Sequence, residues 1–265
     1  MTILYGLPES DYHASAAVGS STIKAMSKSP AYYIEQRNRQ TESPAFAIGS
    51  FFHEAILEPE KQSQFIAAPE VDRRTKEGKA VYAEFVENCE GKTVMPKADY
   101  ENTTAMIDAF KKTDAYNRMF IGDVKTEVSI FNEAKKCRFD LLKKRAGGYI
   151  AYDLKTTDEI PRDSAAWQRF FIKWGYHIQS AWYQDVAKEC ENIDILAFHF
   201  AVVSKRFPYE HAVVTLDKDF IEYGREQGNK AYELYKDCLI TGNWPGVYEL
   251  SEAGSQVIEK PRWLK

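Results

Sequence analysis

Two short segments of this chain combine acidic and basic side chains with the spacing of β-strands. Asp140 follows Arg138 by two residues in the first segment, and Asp153 precedes Lys155 by two residues in the second. Side chains on a strand alternate between its faces, so each pair is predicted to share one face. Gly147-Gly148 supplies a turn that would make the two segments a hairpin and bring the charged groups together. Carboxylates that hold Mg²⁺, beside an ammonium that orients the attacking water, suit phosphodiester hydrolysis.

An acid and a lysine that alternate along a strand are also typical of a solvated surface. The neighbours of Asp153 favour the catalytic interpretation, because Ile150, Tyr152 and Leu154 indicate a strand with a buried side. A charged aspartate in such an apolar hairpin loses its solvation unless a cation or a hydrogen-bond donor compensates it. We therefore predict that Asp140 and Asp153 are Mg²⁺ ligands.

The order of motifs along the chain resembles the PD-(D/E)XK nuclease superfamily, and within it the RecB-like branch and the RecE-like exonucleases (exonuclease VIII). The motif segments are Phe139-Asp140, Asp153-Leu-Lys-Thr-Thr157, Gln179-Ser-Ala-Trp-Tyr183 (Q-x-x-x-Y) and Gly49-Ser-Phe-Phe-His53 (G-x-x-x-H). Further similar segments are Tyr12-His-Ala, Gly19-Ser-Ser-Thr-Ile-Lys24, Ser29-Pro-Ala-Tyr-Tyr33 and Asn243-Trp-Pro-Gly246. Each motif is short, but their order over nearly the whole chain makes the resemblance specific.

The resemblance implies roles for residues around the two aspartates. The main-chain carbonyl of Leu154 would be a third metal oxygen, and Lys155 would position the hydrolytic water. His53 would lie near a second metal position, with Gly49 letting its helix approach the sheet; alternatively His53 is a core histidine bonded to the backbone. Glu127 is either a further metal carboxylate or a surface glutamate.

The same resemblance gives Gln179 and Tyr183 a role near the catalytic strand. They stand four residues apart, so on a helix they share one face and could hold the strand or a phosphate by hydrogen bonds. Without the resemblance they would indicate an ordinary amphipathic helix. Thr156 would either bond a phosphate or cap the turn. The implied cofactor is Mg²⁺, with Mn²⁺ able to substitute.

The charge of the chain is acidic, with 35 Lys and Arg against 39 Asp and Glu and a net charge of -4. Enzymes that act on DNA are usually basic, but a protein can gather its cations on one surface. The preferred candidates for phosphate contacts flank the first acidic segment: Lys135, Lys136, Lys143, Lys144 and Arg145. Other candidates are Arg73-Arg74 with Lys76, and Lys205-Arg206. The alternative for each cluster is a set of solvated turns, which is the more common role of such charges.

Other classes of protein fit the sequence less well. An apolar run of about 18 residues and a signal peptide are both absent, so we expect a cytoplasmic protein without a membrane span. The four cysteines are far apart, which favours reduced thiols over a disulfide framework, a zinc site or an iron–sulfur cluster. The chain has no phosphate-binding glycine loop, no G-x-S-x-G and no H-E-x-x-H.

The hydrophobic periodicity predicts an α/β fold, a restriction-endonuclease-like core with a central mixed sheet flanked by helices, as one domain over residues 1–265. Segment 58–97 is expected to be a mobile insertion over a DNA channel. Helices are predicted over 22–26, from Pro30, and over 45–57, 76–88, 97–115, 162–172, 176–190 and 217–239. Strands are predicted over 124–131, 137–143, 149–155, 196–204 and 210–216.

Two classes of function remain open: a Mg²⁺-dependent DNA exonuclease, and a DNA-binding protein with a nuclease fold and no turnover. Among enzymes, a sequence-specific endonuclease is the alternative. The resemblance implies an exonuclease that degrades linear double-stranded DNA from 5′ to 3′. It would leave 3′ single-stranded tails for a single-strand annealing protein of the RecT type. It would act at duplex ends as a homo-oligomer, a tetrameric ring that threads DNA.

Overall fold

A computed structural model describes residues 2–38, 44–89 and 91–247 of the chain. Its strands are β1 (Thr2–Tyr5), β2 (Phe65–Ala67), β3 (Thr93–Met95), β4 (Val124–Phe131), β5 (Lys136–Arg145), β6 (Gly148–Thr157), β7 (Ile195–Ser204) and β8 (His211–Thr215). Its helices are α1 (Glu9–Ala14), α2 (Ser20–Met26), α3 (Pro30–Asn38), α4 (Pro44–Leu57), α5 (Lys76–Glu87), α6 (Lys97–Lys111), α7 (Asp114–Phe120), α8 (Ser164–Trp174), α9 (Tyr176–Glu191) and α10 (Lys218–Thr241).

Six strands form one mixed sheet in the order β1-β4-β5-β6-β7-β8. Neighbouring strands are antiparallel except β6 and β7, which are parallel. A parallel pair needs a crossover, and α8 and α9 supply it. The sheet and its helices confirm the predicted α/β fold with a central mixed sheet.

Both faces of the sheet are buried, each against its own group of helices. On one face, Phe139 and Ala151 join a hydrophobic cluster with Ile178 of α9. On the other face, Leu154 joins a cluster with Phe52 of α4. The expectation that the apolar residues of β6 enter the core on one side only is therefore wrong, because this strand lies in the middle of a sheet that helices cover on both sides.

The predicted elements from residue 124 to residue 241 agree with the structure to within a few residues at each end. The predicted helix 97–115 is two helices, because the Thr113 hydroxyl accepts a hydrogen bond from the Tyr116 amide and starts α7. The predicted start of α2 at residue 22 is two residues too late. Helix α2 begins at Ser20, with Gly19 at the cap and no side-chain bond. Strands β1, β2 and β3 and helix α1 were not predicted from the sequence.

Segment 58–97 contains a 3₁₀ helix (Pro59–Gln64), β2, α5 and β3. Strands β2 and β3 pair in parallel, and their residues Phe65 and Met95 are buried in the cluster around α4. The ends of this segment are therefore anchored in the core, and its mobility stays a prediction. Over the described ranges, no helix is both long and apolar enough to cross a membrane.

Helices α9 and α10 pack at very short distance where Gly224 of α10 meets α9. A Cβ added at Gly224 would lie 2.3 Å from the carbonyl oxygen of His177. We predict that Gly224→Ala lowers the free energy of unfolding by about 1–3 kcal/mol through this overlap. Urea denaturation monitored by circular dichroism measures the change.

Gly228, one turn later on α10, provides the matched control. A Cβ there would make an ordinary contact, 3.5 Å from Ile178 Cγ2. Gly228→Ala should be neutral or stabilise the protein by up to about 1 kcal/mol, because alanine is the better helix former. Equal destabilisation by the two substitutions would contradict the close packing at Gly224.

Candidate active site

A cleft of about 950 Å³ opens at one edge of the β4–β5–β6 region, between α1 and α4. The residues that line it include Tyr12, Gly49, His53, Glu54, Glu58, Lys61, Glu127, Arg138, Asp140, Leu154, Lys155, Thr156, Asp158, Trp174, Tyr176, Tyr183 and Lys205. The predicted site residues from four separate motifs thus meet in one place.

The hairpin of β5 and β6 places Asp140 in the lining of this cleft and Asp153, which is buried, on the neighbouring strand. The β5–β6 ladder ends with the pair Leu141 and Tyr152, so Asp140 and Asp153 follow directly after the last paired residues. Where the strands part, the main-chain N–H of Leu154 donates to Asp140 Oδ2 over 2.6 Å. The prediction that this hairpin places the two acids on neighbouring strands is confirmed by the register.

His53 of helix α4 lies beside Asp140 and Leu154, where the two strands separate. Its Nε2 lies 2.9 Å from the Leu154 carbonyl oxygen, and its Nδ1 lies 3.6 Å from Asp140 Oδ2. The carbonyl can only accept, so Nε2 carries the proton of that bond. Both interpretations of His53 therefore apply: its ring bonds the backbone, and it also lies beside the predicted metal ligands. Gly49 faces the sheet, but an added Cβ would stand 3.9 Å from Thr156 Oγ1, so this approach does not require glycine.

Asp153 is buried, with 2% of its surface exposed. Its Oδ2 accepts a hydrogen bond of 2.5 Å from Gln179 Nε2 of α9. Its Oδ1 lies against the Lys155 ammonium, but makes no regular hydrogen bond within the described part of the chain. The Lys155 ammonium in turn lies 5.0 Å from the centre of the Tyr176 ring. The carboxylate is thus held between a lysine on its own strand and an amide from α9.

The negative charge of the two aspartates is only partly compensated by the nearby positively charged side chains. Burial and the charge of Asp153 raise the pKa of Asp140 to about 6, although His53 and Lys155 act in the opposite direction. Burial lowers the pKa of Lys155, but Asp153, Tyr176 and Asp140 outweigh it and raise that pKa above its ordinary value. Lys155 is therefore a firmly protonated ammonium beside two carboxylates.

Glu127 lies in the cleft opposite Asp140, which distinguishes it from a surface glutamate. It has a φ of 50°, and the β4–β5 pairs on either side of it skip this position. Such a φ is uncommon for a residue other than glycine. Arg138 NH1 lies 3.6 Å from its carboxylate, and the guanidinium also bonds Ser129 and the Leu7 carbonyl. Burial and the Asp140 charge raise the pKa of Glu127 to about 8.

Tyr183 and Thr156 also line the cleft. The Tyr183 ring packs edge-on against Phe139, with the ring centres 5.2 Å apart, and burial raises the pKa of its hydroxyl well above the ordinary value. Gln179 and Tyr183 therefore do share the face of α9 that points to the catalytic strand. Their catalytic roles stay predictions.

The predicted phosphate contacts around β5 are not in the cleft. Lys136 is buried, and its ammonium donates to the carbonyls of Tyr12 and Ser15 over 2.7 and 2.9 Å. Lys143 is buried as well and donates to the Arg118 carbonyl. Neither ammonium is available to a phosphate, which corrects the expectation for these two lysines.

The other three basic residues of that set lie elsewhere on the surface. Lys135 forms an ion pair of 2.8 Å with Glu189, and Lys144 and Arg145 are exposed at the end of β5. None of them is among the described residues that line the cleft. Lys205, from a cluster given less weight, does line it.

The cleft also contains charged residues that were not predicted as site residues. Glu54 follows His53 on α4, and Glu58 lies just beyond the end of this helix, where its main-chain N–H donates to the Glu54 carbonyl. Lys61 pairs with Glu58 over 2.5 Å. The spacing from His53 could not identify these glutamates, because adjacent residues do not share a helix face and Glu58 lies outside α4; their place in the cleft depends on how α4 meets the sheet.

A divalent cation fits the donors at this site. The described residues contain no group of three or more His, Cys, Asp or Glu side chains arranged to hold a metal ion. The available donors are instead two carboxylates, the Leu154 carbonyl and His53. One of these oxygens, Asp153 Oδ1, is buried against the Lys155 ammonium without a regular hydrogen bond. Carboxylate and carbonyl oxygens are the donors that Mg²⁺ prefers.

Comparisons with known proteins agree with this arrangement. The family model described as "PDDEXK-like domain of unknown function (DUF3799)" matches residues 19–255. No curated protein matches the chain. A crystal structure described as a "Putative exonuclease" from Eubacterium rectale is similar in fold, with a TM-score of 0.63 and 18% sequence identity over 98% of this chain and 96% of that chain. The chain therefore belongs to the PDDEXK-like family DUF3799, which confirms the predicted PD-(D/E)XK superfamily.

Proposed function

We propose that this protein is a Mg²⁺-dependent exodeoxyribonuclease that degrades one strand of linear double-stranded DNA. The observation that carries the proposal is the convergence of Asp140, Asp153 and Lys155 where β5 and β6 part: Asp140 and Lys155 line an open cleft, and Asp153 is buried against Lys155. Membership in a PDDEXK-like family supports a nuclease. The description of the similar Eubacterium rectale protein supports an exonuclease.

The finer features of the proposal come from the resemblance to RecE-like nucleases. They are digestion from 5′ to 3′, action at duplex ends, 3′ tails handed to a RecT-type annealing protein in DNA recombination, and a tetrameric ring. The described structure is one chain, and these features are proposed on the resemblance alone.

Different residues at the site would bind the metal ion and act on the attacking water. Asp140, Asp153 and the Leu154 carbonyl would hold the ion, with His53 beside them. When bound, the ion would polarise the scissile phosphate and lower the pKa of the attacking water. Lys155 would orient that water and stabilise negative charge that develops on the phosphate.

The charge of the cleft supports a requirement for metal. Its lining contains six carboxylate residues and four Lys or Arg residues. Each of the four cations lies within ion-pair distance of an acid: Lys61 with Glu58, Arg138 with Glu127, Lys155 with Asp153 and Lys205 with Asp158. A DNA phosphate would meet an excess of negative charge here, and divalent cations would reverse it.

An assay with end-labelled linear duplex and closed circular DNA tests this function directly. With Mg²⁺ we expect progressive shortening of the 5′-ended strand of the linear duplex and an intact circle; with a chelator we expect no cleavage of either. Asp140→Asn and Asp153→Asn should each lower the rate by about a hundredfold or more, because a lost carboxylate removes both a ligand and negative charge.

The outcomes of this assay separate the alternatives. Asp108→Asn, at an exposed position of α6, is the control and should keep full activity. Discrete fragments from the circle would support a sequence-specific endonuclease. Binding of DNA without cleavage of any substrate would support a protein without turnover. Cleavage in chelator would contradict the metal site.

His53→Ala tests whether this histidine serves the metal or only the packing of α4. We expect the Mg²⁺ concentration for half-maximal activity to rise about tenfold, as for partners that hold metal ligands. His211→Ala, at an exposed position of β8, is the control. A lower melting temperature with an unchanged Mg²⁺ requirement would assign His53 to packing alone.

The raised pKa of Asp140 predicts that protons compete with the metal. Its metal-free pKa of about 6 lies above the ordinary value of 3.8, so the carboxyl is protonated below about pH 6 and must lose that proton to bind Mg²⁺. The Mg²⁺ concentration for half-maximal activity should therefore rise about tenfold per pH unit below pH 6.

Titration of Mg²⁺ between pH 5 and pH 9 measures this competition, because this range covers roughly the pH at which the Asp140 and Glu127 carboxyls lose their protons. If Glu127 is also a ligand, its pKa of about 8 should extend the rise up to that pH, and Glu127→Gln should remove the extension. A Mg²⁺ requirement that stays constant below pH 6 would contradict the assignment of Asp140.

A further inference from the structure

Lys24 lies behind the candidate site, on α2, in a place to which the nuclease motifs assign no role. Its Nζ is 3.4 Å from Gln179 Oε1 and 5.5 Å from the centre of the Tyr176 ring. Lys24 is not among the described residues that line the cleft, whereas Tyr176 is. The ammonium therefore contacts the site from its buried side, through Gln179.

The side-chain amide of Gln179 has an NH₂ group that donates and an oxygen that accepts, and both groups have a partner. Its Nε2 donates to Asp153 Oδ2 over 2.5 Å, and its Oε1 faces Lys24. An ammonium has only donors, so it selects the amide orientation in which Oε1 points to Lys24. In the opposite orientation, Oε1 would face the Asp153 carboxylate, and two acceptors would oppose each other.

The packing of α2 fixes the position of this ammonium. The neighbouring residues Ile23 and Met26 are buried in the core cluster that contains α9 residues. The stem of Lys24 lies against Gly175, where an added Cβ would be 2.9 Å from Lys24 Cγ. Gly175 has a φ of 65°, so both its conformation and the adjacent lysine favour glycine.

Holding a lysine at this position is unfavourable for the fold by itself. Burial and the nearby charge of Lys155 lower the pKa of Lys24 to about 8, and the charge of Asp153 offsets this only in part. Burial disfavours the charged form of a lysine, so replacement of Lys24 by an unbranched apolar side chain removes that cost. Loss of the ammonium is therefore expected to affect the site more than the stability of the chain.

We propose that Lys24 is a positioning residue for the candidate metal site: it orients the Gln179 amide, which in turn holds the Asp153 carboxylate. This inference rests on the proposed function, because it assigns Asp153 to the metal. Lys24 acts through Gln179 and does not touch the substrate.

The test compares Lys24→Met with Lys28→Met, since Lys28 is exposed just beyond the same helix. Mn²⁺ affinity by calorimetry, the kcat and KM for linear duplex, and the melting temperature are measured for each. Lys24→Met should weaken Mn²⁺ binding and lower kcat by about tenfold or more, as for other groups that orient metal ligands. The KM for DNA and the melting temperature should not fall, Lys24→Arg should recover part of the loss, and Lys28→Met should match the wild type.

A double-mutant cycle with Gln179→Leu tests the route of the effect. If Lys24 acts through Gln179, Lys24→Met should add little to the loss already caused by Gln179→Leu. Additive losses would overturn the inference. So would an unchanged Mn²⁺ affinity with a raised KM, because Lys24 would then contact DNA directly.

The Mn²⁺ measurement distinguishes failure of the inference from failure of the proposed function. If the wild type cleaves DNA and Lys24→Met equals it in Mn²⁺ affinity and kcat, the inference alone fails. If the wild type cleaves no DNA while Lys24→Met still weakens Mn²⁺ binding, the proposed function fails and the positioning role stands. A wild type that binds no Mn²⁺ would overturn the inference, because no metal site would exist to position.

Discussion

The burial of the Asp153 carboxylate in the middle of the sheet is the constraint on which the rest of the site depends. β6 is covered by helices on both faces, so a charge at this position loses nearly all of its water. Such a charge is tolerated only with a counter-charge and good hydrogen bonds. Lys155 supplies the first and Gln179 the second, and Gln179 is in place only because α9 packs closely on both the sheet and α10. The packing of two helices on one face thus sets the geometry of one carboxylate.

The charge of the cleft explains how an acidic protein fits the proposed action on DNA. The lysine clusters near β5 were the predicted phosphate contacts, but the cations that reach the cleft come from four separate segments of the chain and are already paired with acids. The cations that a phosphate needs would then come from bound metal. The raised pKa values of Asp140 and Glu127 have the same origin, since both carboxyls lie in a buried region with too little positive charge. A net charge of -4 is therefore compatible with a nuclease whose electrostatic attraction depends on divalent ions.

The sequence predicted those features that local spacing controls. Strand β4, the β5–β6 hairpin, α9 and α10 were predicted nearly to the residue, because alternation and helical periodicity are strong there. The structure also brings Asp140, Asp153, Lys155, Gln179 and His53 together, although their chemical roles stay predictions. What local spacing could not reveal depends on contacts between distant segments. Lys136 and Lys143 look like their exposed neighbours in sequence, yet carbonyls from α1 and α7 bind their ammonium groups. Lys24 is likewise one lysine among many until its distance to Gln179 is known.

Where β5 and β6 separate, the fold forms a site and still pairs the buried hydrogen-bonding groups of the backbone. The ladder stops at Leu141 and Tyr152, so the Leu154 peptide has no partner in the pairing register of β5. Buried N–H and C=O groups must nevertheless be paired. The N–H donates to the Asp140 carboxylate and the C=O accepts from His53, so side chains take over the positions that a continuing ladder would fill. Those two side chains are held at a fixed place by the backbone of the strand that carries Asp153 and Lys155. The end of one ladder therefore joins two strands and a helix at the point where the metal is proposed to bind.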